Sequence, residues 1–225
     1  MMEAGPRIVL IHAVRVAIDP ILDAFKSGWP QAQPTSLLDD GLAPDLDRLG
    51  TIEGELTRRI GGLADYGVAM GARGVLYTCS AFGAAIEKVQ ARLTIPVLKP
   101  NEAMLAEALK LGSRFAILAT FKPTIASMES ELRSEAGRAG RAVAIESIHV
   151  PQAQQLLSEG KAGEHDRLIA RAAAAIKNVD AILLAQFSMA RAWRAVAEVV
   201  GPTPVLTTPA SAVSRLRSLV GEKVP

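Results

Sequence analysis

Three segments of this 225-residue chain recur at nearly one spacing, and that recurrence constrains the fold more than any other feature. RIVLIHA at Arg7–Ala13 lines up with RFAILAT at Arg114–Thr120, 107 residues further on. GVLYTCSAFGAA from Gly74 lines up with AILLAQFSMARA from Ala181, again at 107. IPVLKP, with Pro96, lines up with TPVLTT, with Pro204, at 108. Solenoid and propeller repeats have periods of roughly 20–50 residues. A period twice as long predicts two similar halves, each a small domain in its own right.

Within each half, short apolar runs alternate with longer helical patterns. Arg7–His12, Pro34–Leu38, Gly74–Cys79, Arg114–Ala119, Ala142–His149 and Asp180–Ala185 read as strands. Helices are expected near 51–70, 82–92, 101–111, 123–138, 163–177, 188–199 and 209–219, with Thr51 and Asn101 as caps. Continuous apolar strands separated by helices mean a parallel sheet covered on both faces, hence α/β architecture. The expected division is 1–98 plus 208–225 for the first half and 99–207 for the second. Ligands of open parallel sheets bind at the carboxyl ends of the strands. Two such halves facing each other would share one cleft, with Cys79 opposite Gln186 and His12–Ala13 opposite Ala119–Thr120.

Composition removes several function classes. Apolar residues are 49% and charged residues 21%, with a net charge of +2, so the chain is a folded protein. Acids and bases are mixed, and no basic stripe offers a nucleic-acid surface. No apolar stretch approaches the ~20 residues of a membrane span. There is a single cysteine, and no secretory leader is legible, so a reducing, cytoplasmic setting is expected. His12, His149 and His165 have no metal-ligand spacing, and no glycine-rich phosphate loop lies between a strand and a helix.

The residues able to carry chemistry cluster at strand ends. Cys79 ends an apolar strand just before a helix, where the dipole and loose N–H groups favour thiolate. A lone cysteine is also a common small core residue. His12 ends the first strand and could hold that thiolate or exchange protons itself, or be a neutral, hydrogen-bonded histidine with no catalytic duty. Thr120 and Thr124 bracket the loop that opens a helix in the second half, a ready carboxylate site, although either could simply cap the helix. Ser80 with the backbone N–H of Ala81 would make the matching site in the first half. Gln186, Phe187 and Ser188 occupy the repeat positions of Cys79, Ser80 and Ala81. Asp39–Asp40–Gly41 reads as an acidic turn before a helix.

GVLYTCSAFG, IPVLKPNEAMLAEALKLGSRFAILATFKPT and AILLAQFSMA together resemble the aspartate/glutamate/hydantoin racemase superfamily, which also contains maleate isomerase and arylmalonate decarboxylase. The likeness runs through nearly the whole chain, including the repeat. It implies two flavodoxin-like halves with the site between them, a small carboxylate or amino-acid-like substrate, and proton chemistry without metal or organic cofactor. A homodimer is common among such proteins. Two cysteines on opposite faces of the substrate carbon do the work in the usual pattern, one taking a proton while the other gives one.

This chain departs from the pattern at Gln186, which stands where the second cysteine is expected. An amide cannot act as acid or base at neutral pH, but it can donate hydrogen bonds to a developing oxyanion. A symmetric two-thiol racemase is therefore ruled out. Three routes remain: Cys79 as a one-sided acid/base, as a decarboxylase requires; Cys79 as a nucleophile adding to an activated double bond; or a different second acid/base, with His12 the best candidate. A binding protein that kept the site and lost the chemistry is the non-enzymatic alternative.

Overall fold

The computed structural model describes residues 5–221. The chain forms two compact units, one comprising the residues up to Pro100 together with Ala212 onward, the other Asn101–Ser211. The first contains β1 (Arg7–His12), α1 (Ile18–Gly28), β2 (Gln33–Leu38), α2 (Leu42–Leu49), α3 (Glu55–Ala69), β3 (Gly74–Tyr77), α4 (Gly83–Arg92) and β4 (Val97–Leu98). The second contains α5 (Glu102–Leu111), β5 (Arg114–Ala119), α6 (Lys122–Arg138), β6 (Ala144–His149), α7 (Pro151–Ser158), α8 (Ala162–Ala173), β7 (Ala181–Leu184), α9 (Trp193–Val200) and β8 (Val205–Thr207). The last helix, α10 (Thr208–Val220), begins in the second unit and runs on into the first.

Each unit holds a four-stranded sheet, in the order β2-β1-β3-β4 and β6-β5-β7-β8. Every strand pair is parallel. The two orders are the same order, so the sequence repeat is a repeat of topology, and the fold is α/β with two similar halves. The central strands are buried on both faces, which explains their unbroken apolar runs. In the second unit, alternate residues serve opposite layers. Phe115, Ile117, Ala181 and Leu183 pack with Met104, Leu105, Met128 and Leu132 of α5 and α6. Ala116, Leu118, Ile182 and Leu184 pack with Ile169, Ala173 and Val196 of α8 and α9. The edge strands β2 and β6 are only partly buried, and Pro34 sits in β2, where a missing N–H is tolerated.

The repeat extends to the turns beyond the strands. Asp39 N–H donates to His12 O at 3.0 Å, and Val150 N–H donates to Ala119 O at 2.9 Å. Thr78 N–H donates to Ile11 O, and Ala185 N–H to Leu118 O, both at 3.0 Å. The chain therefore leaves corresponding strands along the same path in both units.

Some local expectations are corrected. Thr51 does not cap a helix: α3 starts at Glu55 after Gly54, and the Thr51 hydroxyl accepts from Glu53 N–H in the preceding turn. Asn101 stands at the N-cap of α5, but its amide donates to Glu131 instead of closing the helix end. The helices after Cys79 and Gln186 each begin with a tighter 3₁₀ segment, Ser80–Phe82 and Phe187–Ala192. Among the described residues, no helix is long and apolar enough to cross a membrane.

Candidate active site

The polar residues flagged in the sequence stand at the carboxyl ends of strands in both units. In the first unit, Cys79 follows β3 with extended backbone (φ −127°, ψ 119°) and enters the 3₁₀ turn at Ser80. In the second, Gln186 follows β7 with nearly the same backbone (φ −129°, ψ 146°) and enters the turn at Phe187. Both are half-buried.

The thiol is not the pre-formed thiolate expected from its place before a helix. Burial pushes Cys79 up from its ordinary value, and the hydrogen bond from Ala81 N–H, which favours the anion, only partly opposes this. The expected N–H donor is thus present, but desolvation of the sulfur outweighs it. Burial thus favours the protonated thiol over the thiolate. Ser80, next in the chain, lies half-buried.

His12 is fully buried at the end of β1. Its Nδ1 lies 2.9 Å from Thr78 Oγ1 and its Nε2 lies 3.1 Å from Ser36 Oγ. Burial pushes its pKa down to about 4, so the ring is neutral at physiological pH. Both nitrogens are occupied by hydroxyls. Thr78 and Ser36 were not singled out in the sequence. One signal existed: Thr78 is a hydroxyl residue inside an apolar strand run whose repeat partner is Ala185.

Gln186 is held by a clamp in the second unit. Thr120 N–H donates to its Oε1 at 2.7 Å, and Thr120 Oγ1 donates to the same oxygen at 2.9 Å. A backbone N–H can only donate, so the carbonyl end of the amide must face Thr120. The amide –NH₂ points elsewhere and finds no acceptor among the described residues. Thr120 therefore does not present a free hydroxyl to a carboxylate, because both its donors go to Gln186. It does not cap α6 either; Phe121 holds that position with no side-chain cap. Thr124 lies in the first turn of α6, half-buried, with its N–H bonded to Phe121 O at 3.1 Å and its hydroxyl without a partner among the described residues. Phe187 is buried, while Ser188 is half-buried beside Gln186.

The acidic turn after β2 is structural. Asp39 receives Arg59 through both carboxylate oxygens at 2.6–3.0 Å, and Arg59 also reaches Asp45 at 2.5 Å. Asp40 pairs with Arg15 on the surface. Among the described residues, no group of three or more His, Cys, Asp or Glu could hold a metal ion.

Solved structures with the same fold include the allantoin racemase of Klebsiella pneumoniae, 21% identical over 96% of this chain and 88% of that one, with a TM-score of 0.71. The aspartate racemase of Picrophilus torridus is 13% identical over 98% and 96%, with a TM-score of 0.73. An arylmalonate decarboxylase variant is 17% identical over 97% and 95%, with a TM-score of 0.64. At such identities these likenesses speak for the fold alone. No protein of curated function matched in sequence. Residues 52–224 match the Asp/Glu/Hydantoin racemase family, which covers more than half of the chain, including Cys79, Thr120 and Gln186; the chain belongs to that family.

Proposed function

We propose that this protein is a racemase or isomerase of a small carboxylate or amino-acid-like compound that needs no cofactor and uses Cys79 as its acid/base or nucleophile. The observation that carries the reading is the pairing of roles at equivalent positions: a thiol after β3 and, after β7, an amide whose carbonyl is pinned by Thr120. Pinning the carbonyl at Thr120 leaves the two N–H donors of the Gln186 amide for a ligand. Such fixed donors stabilise charge that develops on a carboxylate or carbonyl oxygen when its α-carbon loses a proton. Thr124 and Ser188 supply further hydroxyls for the carboxylate, and Thr120 acts through Gln186. His12 stays neutral and supports the cysteine, taking no part in proton transfer.

In the acid/base form of the reaction, Cys79 gives up its thiol proton to solvent, takes the substrate α-proton, and leaves an enolate. Return of a proton to carbon on the other face inverts the centre, and that proton comes from water or a group other than a second thiol. In the nucleophilic form, the Cys79 thiolate adds to an activated double bond, the bond rotates, and elimination restores the thiolate.

A second reading is favoured by a specific observation. A single, neutral thiol is suited to one-sided proton donation. In a decarboxylase, CO₂ leaves with cleavage of the C–C bond, its electrons form the enolate, and Cys79 Sγ–H protonates the carbon; water then restores the thiol. The solvent-deuterium experiment separates the readings. Allantoin, aspartate, glutamate and an arylmalonate are incubated in D₂O with the protein and followed by proton NMR. Loss of an α-hydrogen signal from unconverted substrate supports racemisation. Deuterium confined to a decarboxylated product supports the second reading. Neither result with any of the four, together with saturable binding of one of them, would contradict an enzymatic role. Under the proposal, chelator treatment leaves the rate unchanged.

A further inference from the structure

Ser36 lies outside every motif and Thr78 is the residue before the cysteine in one, and neither touches the reacting atoms of the proposed chemistry, yet they hold the one fully buried imidazole at the carboxyl edge of the first sheet. The proton positions in this group follow from what each atom is able to do. Thr78 Oγ1 lies 3.3 Å from Ile11 O, and a carbonyl oxygen only accepts, so the hydroxyl proton belongs to that contact. A hydroxyl carries one proton. Thr78 Oγ1 must then accept from His12 at 2.9 Å, which places the ring proton on Nδ1. In a neutral imidazole the other nitrogen is an acceptor, so Ser36 O–H donates to Nε2 at 3.1 Å. The reverse order, with Nε2–H donating to Ser36 and Thr78 O–H to Nδ1, leaves the Ile11 contact without a proton. The forward order makes three hydrogen bonds and the reverse only two, and an unmade bond in a buried network is costly.

A comparison within the chain points the same way. Where β1 ends in His12, β5 ends in Ala119; where Thr78 precedes Cys79, Ala185 precedes Gln186. The polar chain therefore occurs beside the thiol and is missing from the equivalent place beside the amide, where the Thr120 clamp acts instead. Thr78 is anchored twice, through its side chain and through its own N–H to Ile11 O at 3.0 Å. Holding this residue fixes the backbone from which the Cys79 side chain departs.

We propose that Ser36, His12 and Thr78 form a one-way hydrogen-bonded strut, with the imidazole locked as its neutral Nδ1–H tautomer, that aims the Cys79 side chain; Thr78 and Ser36 are positioning residues. The inference rests on the reading of Cys79 as the reacting group. It gives His12 a structural proton that stays in place through turnover, and it makes the identity of the hydroxyls matter more than their size.

The test is nitrogen-15 NMR of the whole protein labelled at histidine, at pH 7, with His12→Asn to identify the His12 signals, combined with iodoacetamide alkylation of Cys79. The expected result is a neutral Nδ1–H ring for His12. Thr78→Val, which keeps the shape and removes the acceptor, alters the alkylation rate by about tenfold through misplacement of the sulfur. Thr78→Ser, which keeps the hydroxyl, leaves the rate within about twofold and preserves the tautomer. An Nε2–H ring or an imidazolium at pH 7 overturns the strut, as does a folded Thr78→Val variant that alkylates at the wild-type rate. Should Thr78→Val not fold, Ser36→Ala on the exposed edge strand must shift the Nε2 resonance, and an unmoved resonance overturns the proposal. An Nδ1–H ring found together with a Cys79→Ala variant that still exchanges substrate protons would sink the role given to Cys79 while leaving the strut standing.

Discussion

At the scale of single residues, the proposed chemistry turns on the Cys79 thiol, whose environment differs from what its position in the sequence implies. A cysteine before a helix is expected to be easily ionised. Here burial of the sulfur pushes its pKa up, so it holds its proton more tightly than usual. Alkylation of Cys79 by iodoacetamide in the resting protein should therefore inflect above the ordinary thiol value of about 8.5; an inflection below pH 7 would show that the thiolate is pre-formed. Gln186 gives a second prediction. Thr120→Val removes one of the two donors that pin the amide and should lower the turnover rate by about tenfold, on the order of one hydrogen bond to a stabilising group, as read from steady-state kinetics. Position and residue type were legible in the sequence for Cys79, Gln186 and Thr120. Their partnerships were not, because the bond between Thr120 and Gln186 joins residues 66 positions apart, and the burial of His12 depends on packing from three strands.

At the scale of elements, the apolar runs were sufficient to mark the central strands, since β1, β3, β5 and β7 are buried on both faces and admit few polar residues. The short strands β4 and β8 were marked only by their repeated Pro-Val-Leu, and α1, α2 and α7 carried no signal strong enough to separate them from loops. Thr51 caps no helix because α3 starts only at Glu55, while Asn101 does stand at the N-cap of α5 but turns its amide to Glu131. One close approach was invisible in sequence. A Cβ at Gly112, between α5 and β5, would lie 2.1 Å from the Asp180 carboxylate, which itself accepts from Ser113 N–H and Arg114 N–H at 2.8 and 2.9 Å. Those bonds, with Arg114, hold Asp180 at a pKa of about 2. Gly112→Ala must displace that carboxylate and should destabilise the fold by about 1–3 kcal/mol, measured as a lower denaturant midpoint with unchanged slope.

At the scale of the whole molecule, the internal repeat was the most informative reading, because identical strand order in two units follows from it directly. Substrate identity was not legible, since it depends on the loops that follow the strands and on no motif within them. The buried histidine links folding to pH. The unfolded chain binds its proton at the ordinary value of about 6.5, the folded chain only at about 4. Its contribution to stability is thus fully present above about pH 6.5 and is lost as pH falls toward 4, reaching up to about 3 kcal/mol. Unfolding curves from pH 7 to pH 4 should show that loss in the wild type and a shallower decline in His12→Asn; equal slopes would contradict the assignment. In the proposed chemistry, Cys79 moves the proton at carbon. The most direct test of that role is deuterium incorporation from D₂O into allantoin, aspartate, glutamate and an arylmalonate, comparing the wild type with Cys79→Ala. Incorporation into at least one substrate or its product is expected of the wild type, and none of the variant. Incorporation at the same rate by Cys79→Ala would contradict that role.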